Sequence, residues 1–190
     1  MHSPIRFHTA PPRSTWRNVL WTAAQCSVVW FVTLFALPLL LVTIERLGGY
    51  TVPALRLPVV GACLFLICTT LNLSAGAGLA VGGKGTPLPI AAPRRLFLSG
   101  PYRYVRNPMA MAGIGQGIGV GLWLGSWLVI GYAFTGALVW HYLIRPVEEE
   151  DLLERFGAEY AHYRACVPLW RPMFPGYASP NLYSAASTPG

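Results

Sequence analysis

Two polar clusters bracket the longest uncharged run of this 190-residue chain. The first is residues 100–108, GPYRYVRNP, and the second opens with Glu148-Glu149; from 108 to 144 there is no Asp, Glu, Lys or Arg. Asn107-Pro108 reads as a helix start, because Asn is a preferred N-cap and proline suits the first helical position. The unpaired N–H groups and positive dipole end of such a terminus can hold a carboxylate or phosphate, and Arg103 and Arg106 add charge beside it. Taken alone, the motif is helix punctuation. Glu148, Glu149, Glu150 and Asp151 follow Pro146 at the head of a second helical stretch, where acidic groups complement the dipole. That reading suffices for Glu150 and Asp151. Glu148 and Glu149 follow the uncharged run directly, and if that run crosses a membrane and returns, both clusters emerge on one side. Adjacent helical residues point about 100° apart, so the two carboxylates are expected to have different partners. Ribose hydroxyls or an ammonium group are within their chemistry.

The elements that must position these clusters are apolar helices. Residues 19–44 are uncharged and long enough to span a bilayer, for which about 20 apolar residues suffice; Pro38 is a kink site within them. The stretch lacks the small-x-small cleavage site of a signal peptide. Residues 57–81 form a second uncharged run, with Pro58 at its first turn. Residues 82–107 are a polar loop carrying Lys84, Arg94, Arg95, Arg103 and Arg106. The run from 108 to 144 is too long for one span. Gly125-Ser126 breaks it, flanked by Trp123 and Trp127 as interfacial aromatics, giving a hairpin of 108–124 and 126–144. Four spans are expected. The stretch VEEEDLLERFGAEYAHYR then places Leu152, Phe156, Tyr160 and Tyr163 on one apolar face, with Gly157 as an interruption. Three units follow: 1–81, the tail and first two spans; 82–172, the loop, hairpin and amphipathic helix; and 173–190, a Pro/Ser/Ala-rich tail expected to be disordered.

Composition agrees. Hydrophobic residues make up 54% of the chain and charged residues 11%, about half the charged share of soluble domains. The net charge of +7 does not point to nucleic acid, because the basic residues flank apolar runs and form neither a zinc-finger nor an RNP-like motif. It follows membrane orientation instead. Twelve basic residues fall on one side of the four spans, and only Arg46 and Arg56 on the other. The positive-inside rule makes both termini, the loop and the Glu pair cytoplasmic. Cys26, Cys63, Cys68 and Cys166 show no ligand spacing, nor do His2, His8, His141 and His162, so no metal is expected. Gly113, Gly117, Gly121 and Gly125, interleaved with Gly115 and Gly119, form two GxxxG series suited to close helix packing. Clearing room for a flat ligand is the weaker alternative. Gln116 is expected to bond between helices. His141 reads as an interfacial structural residue; Arg145 is a snorkelling residue or an anchor for an anionic substrate group.

GPYRYVRNPM, the apolar hairpin, and then Glu148-Glu149, Leu152, Phe156-Gly157, Tyr160, Tyr163 and Val167-Pro168 together resemble the isoprenylcysteine carboxyl methyltransferase and phospholipid methyltransferase superfamily. GGKGTPLP, residues 82–89, is similar to the loop of bacterial members. The resemblance covers residues 82–172. It implies an all-α membrane protein of about four transmembrane helices, whose cytoplasmic loop and C-terminal amphipathic helix form the cofactor site. It also implies S-adenosylmethionine as cofactor and a lipophilic or lipid substrate that enters from the bilayer. By position, Arg106, Asn107, Pro108, Glu148 and Glu149 would bind the cofactor, with Tyr104 beside them; Arg145 is the candidate catalytic residue. Two positions depart from the pattern. Asn107 stands where eukaryotic members carry His, and Ala110 stands where the family carries Tyr.

In-line methyl transfer from a sulfonium draws much of its acceleration from alignment and from exclusion of water. A carboxylate acceptor needs no base. An amine or thiol acceptor must lose a proton, a task that would fall to Glu148 or Glu149. The leading expectation is an isoprenylcysteine carboxyl methyltransferase-like enzyme. Its alternatives are a phospholipid amine N-methyltransferase and, because Ala110 lacks the family hydroxyl, a non-catalytic four-span protein.

Overall fold

The computed structural model describes residues 15–50, 56–84 and 93–178, and every regular element among them is helical. Helix α1 (Thr15–Trp30), a π-helical turn (Phe31–Ala36) and α2 (Leu37–Leu47) form one continuous rod. Proline has no N–H to donate, and its ring clashes with the carbonyl four residues back. For Pro38 that carbonyl belongs to Leu34, inside the π turn, where the ladder is widened. The same solution recurs once. Helix α5 (Trp127–Val139) runs through a π turn (Trp140–Ile144) into α6 (Arg145–Cys166), and the carbonyl opposing Pro146 is that of Tyr142. Both prolines are thereby absorbed without ending a helix.

Among the described residues, three helices are long and apolar enough to cross a membrane: Val19–Leu47, Pro58–Val81 and Trp127–Cys166. The last is uncharged only over 127–144. Helix α4 (Pro108–Leu124) has 17 residues, a rise of about 25 Å, short of the ordinary span expected for it. Val28, Phe31, Leu66, Ile67 and Leu138 are each more than half exposed. Apolar side chains left outside in such numbers are compatible with a multi-pass membrane protein. The first rod is longer than 19–44, because the helix continues through Glu45 to Leu47. Glu45 is buried and accepts a hydrogen bond from Ser126 Oγ. The same hydroxyl caps α5 by accepting from Val129 N at 3.3 Å. The hairpin break falls where the sequence puts it, with Gly125 left-handed at φ 67°.

The glycines of α4 divide between two neighbours. A Cβ at Gly119 would lie 2.8 Å from Gly61 O and 3.0 Å from Phe65 N, and one at Gly115 would strike Cys68 Sγ. That series faces α3 (Pro58–Val81). A Cβ at Gly117 would meet Ala133 Cβ at 2.9 Å, and one at Gly121 would meet Ile130 N at 3.0 Å. That series faces α5. Gln116, between them, donates to Thr69 Oγ1 at 2.9 Å and accepts from Asn72 Nδ2 at 3.3 Å, the interhelical bonding expected of it. Gly113 meets no atom within 4 Å and lines a cavity.

Residues 85–92 lie outside the described residues, but the ends of their loop are fixed: Arg94 N and Arg95 N donate to Gly83 O at 2.8 and 3.1 Å. A 3₁₀ turn (Gly100–Arg103) follows. The predicted apolar face of α6 packs on this loop: Leu96 and Leu98 meet a cluster of Tyr160, Tyr163, Val167 and Tyr177, with Leu152, Phe156 and Met173 around it. Gly157 interrupts the helix with φ 54° and ψ −127°, a conformation side-chain-bearing residues avoid. Residues 173–178, the start of the expected tail, are held in place. Met173 N donates to Tyr104 O at 2.9 Å and Tyr177 N to Arg103 O at 2.7 Å. Residues 179–190 lie outside the described residues.

Because the atoms around Gly119 are backbone, they cannot yield to a side chain. Gly119→Leu is expected to cost about 2–3 kcal/mol, in the range of overpacked cores. Gly113→Ala is expected to be neutral. Thermal unfolding in detergent checks both.

Candidate active site

Arg106, Asn107, Glu148 and Glu149 come together where the loop meets the head of α6. Glu149 is the hub. It pairs with Arg106 at 2.8 Å, Arg145 at 3.4 Å and Arg164 at 4.0 Å. Arg106 arrives from the loop, its own N–H donating to Pro168 O at 3.0 Å. Arg145 lies one turn before Glu149 on the same helix, and Arg164 beyond the Gly157 break. Glu148, turned about 100° away, makes no ion pair among the described residues. It accepts from Asn107 Nδ2 at 3.4 Å, so the two carboxylates do have different partners. Asn107 uses its other side-chain atom as the expected N-cap: Oδ1 accepts from Ala110 N at 3.0 Å. Pro108 is fully buried in the first turn.

Two cavities meet at Glu148. The smaller, about 80 Å³, lies beneath residues 93–98 and α6, and Arg145 and Glu149 line it. The larger, about 740 Å³, opens between α1, α4 and the second π turn, and its walls are mainly apolar. Tyr102, Arg106, Asn107, Trp140, Glu148 and Leu152 belong to both walls. Small-molecule sites usually occupy about 300–1,000 Å³. The smaller cavity alone falls below that range, so a nucleoside-sized ligand fits only by reaching past Glu148 into the larger one.

Glu148 lies one turn beyond the uncharged stretch 127–144. Burial raises its carboxyl to about 7, the Glu149 charge pushes the same way, and a hydrogen bond from Trp140 opposes them. A buried carboxylate without a counter-ion is a site for a cation. Arg106 Nε is also buried and unpartnered, leaving one donor for an anionic group a short distance away. An amphoteric ligand with a cationic centre and a carboxylate suits this pair of groups.

The other expected residues are distributed differently. Tyr104 lines neither cavity; its ring packs on Phe174, with centroids 5.4 Å apart. Tyr102 takes the place expected of it. Buried in the 3₁₀ turn, Tyr102 meets Phe97 edge-on at 5.8 Å, and its carbonyl accepts from Tyr163 OH at 2.7 Å. The reason is local: a 3₁₀ turn advances by about 120° per residue, so the second tyrosine of YRY points elsewhere. Trp140 was also not foreseen, although it lies eight residues before Glu148 on one continuous helix. Arg145 is engaged, its Nε donating to His141 O at 3.1 Å and a terminal nitrogen pairing with Glu149. His141 accepts from Trp170 Nε1 at 3.2 Å, in keeping with a structural role. Asp151 pairs with Arg155 at 2.9 Å. Ala110 lines the larger cavity, so its small side chain leaves that space open.

The model of the phospholipid methyltransferase family matches residues 57–159, more than half of the chain. The chain belongs to that family. No curated protein matches it. The matched region takes in α3 as well as the loop, the hairpin and most of α6, and so reaches further toward the N-terminus than the motifs from residue 82 onward. It contains Tyr102, Arg106, Asn107, Trp140, Glu148 and Glu149. Within this methyltransferase-family region, Arg106, Asn107 and Glu148 lie where the two cavities meet.

Two outcomes follow for the carboxylates. Removing Glu149 strands clustered guanidinium groups, so Glu149→Gln is expected to destabilise the protein by about 2–3 kcal/mol, measured by thermal unfolding. Glu148 has the opposite sign. Its folded value of about 7 exceeds the ordinary 4.5, so the native state holds the extra proton between these values and loses stability as pH rises through them. Glu148→Gln is expected to flatten that slope and to melt higher than the parent at pH 8.

Proposed function

We propose that this protein is an integral membrane methyltransferase that carries a methyl group from S-adenosylmethionine to a lipophilic acceptor. The observation that carries the reading is Glu148: a buried carboxylate with no cationic partner among the described residues, at the junction of a small cavity beneath the loop and a large, mainly apolar one. When bound, S-adenosylmethionine supplies a methyl group on a sulfonium centre. Glu148 would hold cationic charge, Arg106 Nε would bind the carboxylate, and Asn107 would keep Glu148 aimed through its amide. Pro108 and the capped start of α4 fix Asn107. Glu149 acts through Arg106, and Arg145 holds Glu149; both are positioning residues in this reading. Apolar walls around the acceptor exclude water and strengthen the charge interactions.

In this reading α4 completes a set of four spans, its short length accommodated by burial against α3 and α5, and the loop and termini face the cytoplasm. The acceptor enters sideways, between α1 and the second π turn. A carboxylate acceptor, as in isoprenylcysteine carboxyl methylation, needs no base. An amine acceptor must shed a proton, and Glu148, lining both cavities, is the buried carboxylate available to take it. That observation favours phospholipid amine methylation as the second reading.

Calorimetric titration of the purified protein in nanodiscs with S-adenosylhomocysteine and S-adenosylmethionine tests this reading. One-site binding is expected for both, weakened at least tenfold by Glu148→Ala and by Asn107→Ala. Cation binding needs the ionised carboxyl, so S-adenosylmethionine affinity should rise with pH up to about 7 and then level off; Glu148→Gln should show no such rise. Absence of binding in folded parent protein would remove the enzyme reading.

A further inference from the structure

The buried amides of the larger cavity are not all accounted for. Asn72 and Gln116 line it and bond to each other, and Gln116 also reaches Thr69. Gln25, contributed by α1, is 8% exposed and has neither its Nε2 nor its Oε1 hydrogen-bonded. A primary amide offers two donors and one acceptor, and leaving them unmade in an apolar setting is costly. The cavity is lined mainly by apolar side chains, Val29, Leu34, Leu143 and Ile144 among them. Gln25 is the one cavity-lining amide, among the described residues, that the protein itself leaves unsatisfied.

Its depth follows from its neighbours. A Cβ at Gly76 would touch Thr22 Cγ2 at 3.8 Å and Met109 Cε at 3.6 Å, which sets Thr22 level with the first turn of α4. Gln25 is three residues further on, about 4.5 Å along the helix. The charged groups of the cavity, Arg106, Glu148, Asp151 and Arg155, belong to the loop and α6, and residues 18–44 contain no charge. A charged group at Gln25 would lack a counter-ion, and an ammonium group would satisfy only Oε1. A group that accepts and donates at once satisfies both ends of the amide.

We propose that Gln25 is a specificity-determining residue that binds a neutral donor–acceptor group, a carboxamide or a hydroxyl, within the apolar part of the acceptor. The inference rests on the larger cavity being the acceptor's. It narrows the substrate class to amphiphiles that carry such a group beside the methyl-accepting end, and excludes plain alkyl or prenyl chains as good ligands.

Trp30 and Trp140 line the same cavity, so a brominated ligand quenches their fluorescence when it enters. The probes are 12-bromododecanamide and 12-bromododecyl methyl ether, titrated into the full chain in nanodiscs. The amide is expected to bind about tenfold more tightly than the ether, the worth of one or two net hydrogen bonds. Gln25→Leu and the length-matched Gln25→Met should bind both probes equally while binding S-adenosylhomocysteine like the parent. Both unliganded variants should melt no lower than the parent, since no internal bond is lost. Equal binding of the two probes by the parent, a preference that survives in the variants, or a lower melting temperature in both variants would each overturn the inference. Loss of the amide preference in the variants of a parent that binds no S-adenosylhomocysteine would uphold Gln25 as a recognition residue and remove the methyltransferase reading alone.

Discussion

Glu149 is the contact on which the arrangement of the site depends. One carboxylate gathers Arg106 from the loop, Arg145 from the head of α6 and Arg164 from beyond its break. The tyrosine cluster, Arg155 donating to Pro93 O and a few backbone bonds also join these segments, and the ion pairs add to them at the site itself. Because the arginines are spent on Glu149, its neighbour has none. Glu148 is left buried, without a counter-ion and with a raised proton affinity. The contrast between two adjacent identical residues is a matter of direction on a helix, and it produces the asymmetry that a cation-binding site needs.

The membrane-like part of the structure serves that asymmetry through α4. Its Gly115/Gly119 edge is pressed on α3 and its Gly117/Gly121 edge on α5, with backbone atoms of the neighbours closest at Gly119 and Gly121. Held this tightly on two sides, α4 presents a third side with Met109, Ala110, Gly113 and Gln116 to the larger cavity. Glycine therefore has two uses in one helix: close approach at most positions and open space at Gly113. The π turns preceding Pro38 and Pro146 belong to the same design. Each lets a long helix continue past a proline, and the second carries Trp140 into the wall beside Glu148 without separating α6 from the apolar stretch.

Much of this was legible in the residues. The hairpin limits were marked by Asn107-Pro108 and Gly125-Ser126, whose capping preferences act locally. The i, i+4 glycine series announced close packing, and the charge-free runs announced apolar helices. That Glu148 and Glu149 would have different partners followed from helical geometry. What was not legible involved contacts between segments distant in the chain. Glu45 gave no sign that it would be buried against Ser126, 81 residues away. In YRY either tyrosine could have faced the pocket, and the 3₁₀ turn decided for Tyr102 over Tyr104.

By itself, then, the sequence determined which segments are helical, where they start and break, which carry charge and which family they belong to. These depend on periodicity, capping and composition, all properties of neighbouring residues. Tertiary structure alone decided that three arginines would converge on one carboxylate, that two cavities would meet at the other, and that Gln25 would face the larger of them without a partner. Those outcomes depend on the register of packed helices, set by close approach at the α4 glycines, and no local pattern encodes a register between segments tens of residues apart.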